Sequence, residues 1–511
     1  MKPRPWLLLV LLLGLASALD AQAKTPTPLA GLNAYVHAVM QRWRVPGLAV
    51  AVVKDGKVVL ARGYGVRELG RPAKVDANTL FGIASNTKAF TAAALGTLVS
   101  AGKLHWNDPV VRYLSGFRLS SPYVTQNLTV RDVLTHRSGY CDPTFMWLTG
   151  NYTRSEIIHR LRYQKPKYGF RAHFCYNNTM YLVAGQLVPA IAGDSWDDYV
   201  AGHFFKPLGM SRTSTRMGVF QRESDLAVPH GKINGKVVPI ERMQTDDMAP
   251  VGGIKSSVAD MSHWLIMLLN NGRYDGHTVL SSKVVATMES PQTVIQADTE
   301  VGQWARTQTP KSHFYTYGLG FFVQDYGGRK LVWHAGDISG MASALALVPS
   351  AHLGVVVLSN MNQNRAPEGV MFYVLQSYLG LPHFNVSKAM YAFVHERDAE
   401  RNAMREKLAA TRVAGARPPL PLEDYAGVYR NKLVGDVTVS VVNSRLKLAF
   451  GNPDFSGFLV PWHGNTFQVP WKNPLFGKSY VSFDLDALSR PVALRFAEPS
   501  GRFARVRGPK H

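Results

Sequence analysis

Apolar and polar positions divide the chain into segments with helical spacing and segments with strand alternation. The first helical segment runs from Leu29 to Trp43 and stops before Pro46-Gly47. Two alternating segments, Leu48 to Lys54 and Lys57 to Tyr64, then flank Asp55-Gly56, which predicts a β-hairpin. A helix followed by two antiparallel strands is therefore expected near the N-terminus.

The middle of the chain favours helices. Apolar spacing predicts them over Ala89 to Val99, Tyr181 to Ile191, Trp196 to Phe205 and Ser257 to Leu269. A polar, aromatic stretch that ends at Cys175 is expected to form a long surface loop with one short helix, Ser155 to Arg162. Long loops on a rigid scaffold often shape substrate pockets.

Strand signals return later in the chain. Short apolar runs separated by turn residues lie at Gly318 to Gln324, Lys330 to Trp333, Met341 to Val348 and Gly354 to Ser359. Met371 to Leu379 is predicted to be a closing helix. Strands at both ends with helices between them predict an α/β or α+β domain, in which one sheet joins the two ends of the sequence.

The composition changes after Pro382. His395 to Lys407 is densely charged, Ala414 to Pro421 is rich in proline and small residues, and short strand runs follow Tyr425. These runs predict a small antiparallel barrel or sandwich. The expected organisation is a main domain over 24–385, a helical and Pro-rich linker over 386–421, and a C-terminal β-domain over 422–508.

Residues 1–23 are typical of a cleavable secretory signal. Lys2 and Arg4 precede the apolar run Trp6 to Leu13, and Ala21-Gln22-Ala23 supplies a small-residue cleavage site. A membrane anchor is the alternative, but the apolar run is short for a bilayer. The sequence therefore predicts export to the periplasm or the medium.

The 511 residues suffice for one large domain and a small one, and they carry 57 Lys and Arg against 35 Asp and Glu, a formal charge of +22. A solvated basic surface is the simpler interpretation. Attraction to the anionic cell envelope is the alternative. A nucleic-acid partner is not expected for an exported chain without a binding motif. Because no His-Glu-x-x-His or paired-cysteine spacing occurs, no metal or other cofactor is expected.

Cys141 and Cys175 are the two cysteines of the chain. Export would permit a disulfide, and with no other cysteine the pairing is unambiguous. The bridge would contribute ~3 kcal/mol in the chain-entropy model. Two unrelated buried thiols remain the alternative.

Ser85 and Lys88 form a Ser-x-x-Lys pattern that leads into an apolar helix. Positions i and i+3 share one helix face, so the lysine amine can take the proton of the serine hydroxyl. An apolar setting lowers the pKa of a lysine, and a helix N-terminus favours a developing oxyanion. The same pattern also occurs at Ser100–Lys103 and Ser444–Lys447, so by itself it is weak.

Two further motifs could complete a site. In Tyr176-Asn177-Asn178, a tyrosine beside a lysine could act as general base and then acid, and Asn178 could hold Lys88 or a substrate amide. A helix cap with a core tyrosine is the alternative. In His334-Ala335-Gly336-Asp337, the histidine could contact substrate, and small residues would let the substrate backbone approach a strand edge. The N–H groups of Asp337 and Ser85 could form an oxyanion hole. A strand ending in a turn is the alternative there.

The order of these three motifs resembles the serine β-lactamase and penicillin-binding-protein superfamily, nearest to class C β-lactamase-like serine hydrolases. Further matches are Leu134 to Gly139, Gly252 to Ser256 and Val356 to Asn360. The resemblance covers roughly residues 29–381. It implies an antiparallel sheet flanked by helices beside an all-helical region, with the site between them. Ser85 would be the acylated nucleophile, and Lys88 and Tyr176 would shuttle protons.

The C-terminal part is similar to lipocalin-like barrels that are appended to some of these hydrolases. The similarity rests on Tyr425-Ala426-Gly427-Val428-Tyr429 and Pro461-Trp462-His463-Gly464. In some relatives such domains affect assembly or access to the site.

Two departures from the family pattern bear on substrate. His334 stands where β-lactamases and transpeptidases have lysine, so a permanent charge for a substrate carboxylate is missing at neutral pH. Asp337 adds a carboxylate that should discourage anionic substrates. We therefore expect an exported serine hydrolase that acts on small ester, amide or peptide substrates, as a carboxylesterase or a peptidase for D-amino acids. A β-lactamase, a D-Ala-D-Ala carboxypeptidase, or a non-catalytic binder of cell-wall peptides are the alternatives.

Overall fold

The computed structural model describes residues 28–305, 307, 311–497 and 501–506. The predicted signal over 1–23 lies outside the described residues. In the part of the chain that is described, no helix is both long enough and apolar enough to cross a membrane.

An antiparallel sheet of eight strands forms the centre of the main domain. Its strands, in spatial order, are Lys57–Gly65, Gly47–Lys54, Leu353–Ser359, Met341–Val348, Arg329–Ile338, Phe322–Tyr326, Tyr315–Tyr317 and Thr293–Val294. The N-terminal hairpin lies beside a late strand, with Leu48 opposite Ser359. This pairing confirms the prediction that one sheet joins the two ends of the main domain's sequence.

Helices cover both faces of this sheet. Every residue of Met341–Val348 and Leu353–Ser359 is buried, which explains why these strands are continuous apolar runs rather than alternating ones. Val258–Leu269 packs against Leu353–Ser359 and the N-terminal hairpin, whereas Ala366–Leu379 packs against both buried strands and against Leu32–Trp43.

A mainly helical region lies beside the sheet. Its principal helices are Thr87–Ser100, Pro122–Asn127, Val130–Leu134, Thr144–Thr149, Arg154–Arg160, Asn178–Ala192, Trp196–Val200, Ser282–Met288 and Glu300–Ala305. Thr87–Ser100 is buried on nearly all sides and packs against Asn178–Ala192. A helix enclosed in this way shows almost no amphipathic pattern, which is why its sequence is uniformly apolar.

Two predicted elements have bounds that differ from those the sequence indicated. The strand predicted from Gly318 is interrupted, because the Gly318 N–H donates to the Phe321 carbonyl and Gly320 has φ +85°, so the chain turns before Phe322–Tyr326. The helix predicted to reach Phe205 ends at Val200 and continues as one wider π-helical turn.

The C-terminal part consists of a long helix and a second sheet. The helix is Val386–Ala410, and the nine antiparallel strands are, in spatial order, Ser456–Phe458, Arg445–Ala449, Gly435–Val442, Gly427–Asn431, Gly501–Arg505, Pro491–Phe496, Lys478–Leu485, Thr466–Pro470 and Val460–His463. Together the strands form a nearly closed barrel around an aromatic core, as the lipocalin-like pattern implied.

The barrel packs against the segment 141–162 of the main domain. Phe145 inserts among three aromatic rings of the barrel: Phe450, Phe455 and Phe496, with ring centroids 5.4–6.4 Å apart. The Tyr152 hydroxyl donates to the Val434 carbonyl at 2.8 Å. The C-terminal domain thus holds the segment that begins at Cys141.

Candidate active site

Ser85 lies in a single 3₁₀ turn that precedes the helix Thr87–Ser100. The residue before it, Ala84, has φ +49°, in the left-handed region that L-residues rarely adopt. Such strain persists only where the surroundings enforce it, and it often occurs at functional sites. The turn presents the Ser85 hydroxyl to a cavity instead of to the helix interior.

Lys88 is fully buried and contacts the hydroxyl of Ser85. Its Nζ lies 2.9 Å from Ser85 Oγ, 2.9 Å from Asn178 Oδ1 and 3.1 Å from the Val251 carbonyl. Burial lowers the pKa of Lys88 to about 7, although the carboxylate of Asp142 acts in the opposite direction. A neutral amine has two N–H groups, which Asn178 and Val251 accept, so its lone pair faces Ser85.

Tyr176 reaches the same hydroxyl from the other side. Its O–H donates to Ser85 Oγ at 3.0 Å. Burial raises the pKa of Tyr176 above its usual value, so the resting tyrosine keeps its proton. The sequence analysis offered Tyr176 as general base and then acid; its raised pKa and the lowered pKa of Lys88 favour Lys88 for the base and Tyr176 for the acid.

Asn178 is oriented by a carboxylate that the sequence analysis missed. Asp142 accepts from Asn178 Nδ2 at 3.2 Å and from the backbone N–H groups of Asn178 and Thr179 at 2.9 and 3.2 Å. Because the amide nitrogen faces Asp142, the amide oxygen faces Lys88. A signal was present, since Asp142 follows Cys141 in sequence as Tyr176 follows Cys175.

Cys141 and Cys175 form a disulfide, with Cα atoms 5.2 Å apart. The structure therefore confirms the bridge that the sequence left open. Beside it, the Asp142 N–H donates to the Tyr176 carbonyl at 3.2 Å. The bridge and this hydrogen bond hold the segments of Asp142 and Tyr176 together.

His136 packs beneath Tyr176 and supports its ring. The two ring centroids are 4.3 Å apart, and the Asn177 N–H donates to His136 Nδ1 at 3.0 Å. Complete burial holds the pKa of His136 well below its usual value, with the field of Lys88 as a smaller contribution. The sequence motif Leu134 to Gly139 therefore supplies a neutral platform for the tyrosine.

His334 is buried at the side of the cavity. Its Nε2 lies 3.0 Å from the Tyr317 hydroxyl. Burial, assisted by the positive field of Lys88, lowers the pKa of His334 to about 3. The ring is therefore uncharged at neutral pH, so it offers a hydrogen bond but no counter-charge for a carboxylate.

Gly336 brings its strand against the nucleophile turn. A Cβ at this position would lie 2.7 Å from the Ile83 carbonyl oxygen and 2.9 Å from Ala84 Cβ. Ser343 on the next strand also holds this turn in place, because its hydroxyl donates to the Ile83 carbonyl at 2.6 Å. Gly336 is thus required by protein packing as well as by any approach of substrate.

Asp337 and Arg365 stand together at the far side of the cavity. Asp337 accepts the Gln363 N–H at 2.8 Å, and the guanidinium of Arg365 stacks on Trp304 at 3.5 Å from the ring centroid. Surrounding protein raises the pKa of Asp337, and the charge of Arg365 opposes this rise. With a pKa of about 7, the exposed Asp337 carboxyl is partly ionised near neutral pH.

The cavity at Ser85 measures about 250 Å³. Its walls carry the predicted catalytic and substrate-binding residues except Lys88, which lies behind Ser85. They also include residues that the sequence did not indicate: Val301, Trp304, Tyr315, Phe322, Trp333 and Arg365. The aromatic walls suit an apolar group next to the reacting carbonyl. The described residues contain no cluster of three or more His, Cys, Asp or Glu side chains suited to a metal ion.

Comparisons with known proteins agree with this geometry. Residues 32–378 match the Beta-lactamase family model, and residues 411–509 match a domain of unknown function, DUF3471. The chain is 29% identical over 425 residues to "Unguisins hydrolase ungD'" of Aspergillus campestris, covering 79% of this chain and 76% of that protein. It is 25% identical over 335 residues to "Protein flp" of Staphylococcus aureus, covering 64% and 62% respectively.

A solved structure shows the same fold. The octameric penicillin-binding protein homologue from Pyrococcus abyssi aligns with a TM-score of 0.61 and 24% identity, over 93% of this chain and all of that one. The family match spans most of the chain and contains every residue around Ser85 described above. The chain therefore belongs to the Beta-lactamase family, and it is a serine hydrolase.

Proposed function

We propose that the protein hydrolyses carboxyl esters or amides, including peptides of D-amino acids, through an acyl-enzyme on Ser85. The observation that carries this proposal is the contact of Ser85 Oγ with both a buried lysine of lowered pKa and a protonated tyrosine. A weak nucleophile needs a base within hydrogen-bond distance, and Lys88 meets that requirement.

The reaction transfers the acyl group of the substrate first to Ser85 and then to water. Lys88 takes the proton of Ser85 as Oγ forms a bond to the substrate carbonyl carbon, and the bond to the leaving group then breaks. The Tyr176 hydroxyl, which lies 3.0 Å from Oγ, gives its proton to the leaving group and regains one from protonated Lys88, whose Nζ lies 5.0 Å from the centre of the tyrosine ring. Water then attacks the acyl-enzyme, gives its proton to the same base, and releases the acid and free Ser85.

The surroundings of the site favour an uncharged group beside the carbonyl. His334 carries no charge at neutral pH, and the aromatic walls of the cavity are apolar. The substrates of β-lactamases and D-Ala-D-Ala carboxypeptidases carry a carboxylate near the reacting bond. The neutral histidine therefore supports esters and amides over those substrates.

Intact-mass analysis after exposure to a fluorophosphonate probe tests the nucleophile. We expect one adduct on the wild type and none on Ser85→Ala. Ser100→Ala is the matched control, because Ser100 begins a second Ser-x-x-Lys pattern outside the cavity, and it should retain the adduct. No adduct on folded wild type, or an adduct on Ser85→Ala, would refute the proposal.

A substrate panel then separates the chemical classes. It contains p-nitrophenyl esters, D-aminoacyl anilides and a chromogenic cephalosporin. We expect turnover of esters or anilides to exceed that of the cephalosporin, because no fixed cation takes the place of the lysine at His334. Preferred hydrolysis of the cephalosporin would instead favour a β-lactamase.

We also propose that the protein is exported. The signal-like residues 1–23 support this, and a disulfide persists more readily outside the cytoplasm. Mass analysis of the protein from its native host should show an N-terminus after Ala23. A mature protein that retains residues 1–23 would contradict cleavage.

A further inference from the structure

A second cavity adjoins the one at Ser85. It measures about 560 Å³ and shares Trp304, Asp337 and Arg365 with the catalytic cavity. The two spaces therefore meet at the Asp337–Arg365 pair. A substrate with a chain long enough to pass this pair would enter the second cavity while its carbonyl remained at Ser85.

The walls of the second cavity are strongly basic. Beyond the shared residues, its cationic side chains are Arg42, Arg44, Lys232, Arg397, Arg401 and Arg405. Three of them repeat every four residues along the helix Val386–Ala410, which places them on one face. The remaining three come from the end of the first helix and from the strand His230–Ile233, so segments far apart in sequence converge here.

Most of this positive charge is not balanced by the protein. The lining contains two carboxylates, Asp337 and Asp398, and Asp398 pairs with Arg401. Among the described residues, no ion pair with a carboxylate is formed by Arg42, Arg44, Lys232, Arg397 or Arg405. Converging cations repel one another, and an anion between them would relieve that repulsion.

We propose that this basic cavity binds an anionic group of the substrate, a carboxylate or a phosphate, while the ester or amide carbonyl of the same molecule lies at Ser85. The inference rests on the proposed hydrolase function and adds a charge requirement distant from the reacting bond. Asp337 stands between the two positions, and its ionised form repels an anion placed close to the carbonyl. A spacer of several carbons is therefore needed.

Ester pairs of matched length test this requirement. The anionic series consists of p-nitrophenyl monoesters of dicarboxylic acids from malonate to sebacate, and the neutral series of p-nitrophenyl alkanoates of equal length. Esters that end in a phosphate distinguish the two anion types. We expect the ratio of kcat/KM, anionic over neutral, to be below one for malonate and above one for the longer spacers, and to fall with added NaCl.

Variants that remove arginine charges test whether the preference for anionic esters arises in the basic cavity. Arg42→Gln/Arg405→Gln should lower the ratio about tenfold at long spacers, with turnover of neutral esters unchanged. Arg118→Gln/Arg222→Gln is the matched control, because it removes the same charge from exposed positions outside both cavities, and it should leave the ratio unchanged. An unaltered ratio in the first variant, or a ratio below one at every length, would overturn the inference.

Calorimetry separates failure of this inference from failure of the proposed function. Inorganic pyrophosphate is titrated into Ser85→Ala, which cannot form an acyl-enzyme. Binding that is lost when Arg42 and Arg405 are also replaced supports the anion site, even if no ester is hydrolysed. Absence of binding overturns the site, whereas absence of a fluorophosphonate adduct on the wild type refutes only the hydrolase chemistry at Ser85.

Discussion

Asp142→Asn tests how the site controls the protonation of its base. Asp142 accepts from the amide nitrogen of Asn178 and so directs the amide oxygen towards Lys88. Its charge also raises the pKa of Lys88, against the larger effect of burial. The variant removes the charge and replaces one acceptor oxygen with an amide nitrogen that cannot accept from Asn178.

The size of the effect follows from the geometry. Asp142 and Lys88 are joined by hydrogen bonds of 3.2 and 2.9 Å through the amide of Asn178. With the width of the amide added, the two charges are at most roughly 8 Å apart, which at an effective dielectric of ~20 gives ~2 kcal/mol. Solvent contact of Asp142 reduces this, so we expect an effect of about one pH unit.

The sign is determined by the charge on the base. Loss of a negative neighbour disfavours protonated Lys88, so its pKa falls further and the neutral amine persists to lower pH. The acid limb of kcat/KM should therefore move down by about one pH unit. The plateau value of kcat/KM should fall about tenfold, because Asn178 no longer has a fixed orientation.

Stopped-flow release of p-nitrophenol between pH 5 and 9, read at the isosbestic wavelength, measures this acylation step. Asp194→Asn is the matched control, since it removes the same charge from an exposed position, and its profile should coincide with that of the wild type. Two outcomes in Asp142→Asn would refute the electrostatic argument. One is an acid-limb midpoint of kcat/KM at higher pH than in the wild type, and the other is an unchanged midpoint together with an unchanged plateau value.

Three further predictions concern packing around the site. The Cys141→Ser/Cys175→Ser variant should lose ~3–4 kcal/mol in denaturant unfolding, because the bridge closes a loop of 34 residues; equal stability would contradict this. Phe145→Ala should lower the free energy of unfolding by ~3–5 kcal/mol and should also lower kcat, since the aromatic contacts of this side chain hold the segment of Asp142. An unchanged kcat would show that the barrel does not influence the site. Gly336→Ala should reduce fluorophosphonate labelling at least tenfold in folded protein, because its Cβ would lie 2.7 Å from the Ile83 carbonyl oxygen; normal labelling would show that the turn can shift.

Several elements were predictable because their causes are local. Asp55-Gly56 specifies the hairpin through its own backbone preferences, and the two flanking strands form where they were expected. A helix cap was one interpretation of Tyr176-Asn177-Asn178, and Asn177 provides it, because its side chain accepts the Met180 N–H at the start of Asn178–Ala192. In contrast, the interruption at Gly318 depends on a turn that the apolar pattern concealed.

The partners of Ser85 also differ in whether local sequence could predict their contacts. Lys88 shares a helical turn with Ser85, so their contact follows from spacing alone. Asp142 and Arg365 carry no motif of their own, and they reach the site through a disulfide-linked segment and the start of a late helix. Apart from the position of Asp142 directly after Cys141, the sequence did not indicate these contacts.

The order of the motifs, most of the strands and helices that carry them, and the contact between Ser85 and Lys88 were predictable from the sequence, because their causes are local. The protonation states depend on the folded protein: the buried lysine is readily neutral, the tyrosine keeps its proton and the histidine carries no charge. The physical reason is that a pKa depends on desolvation and on charges brought close in space. The basic cavity beside Asp337 likewise exists only where distant segments converge.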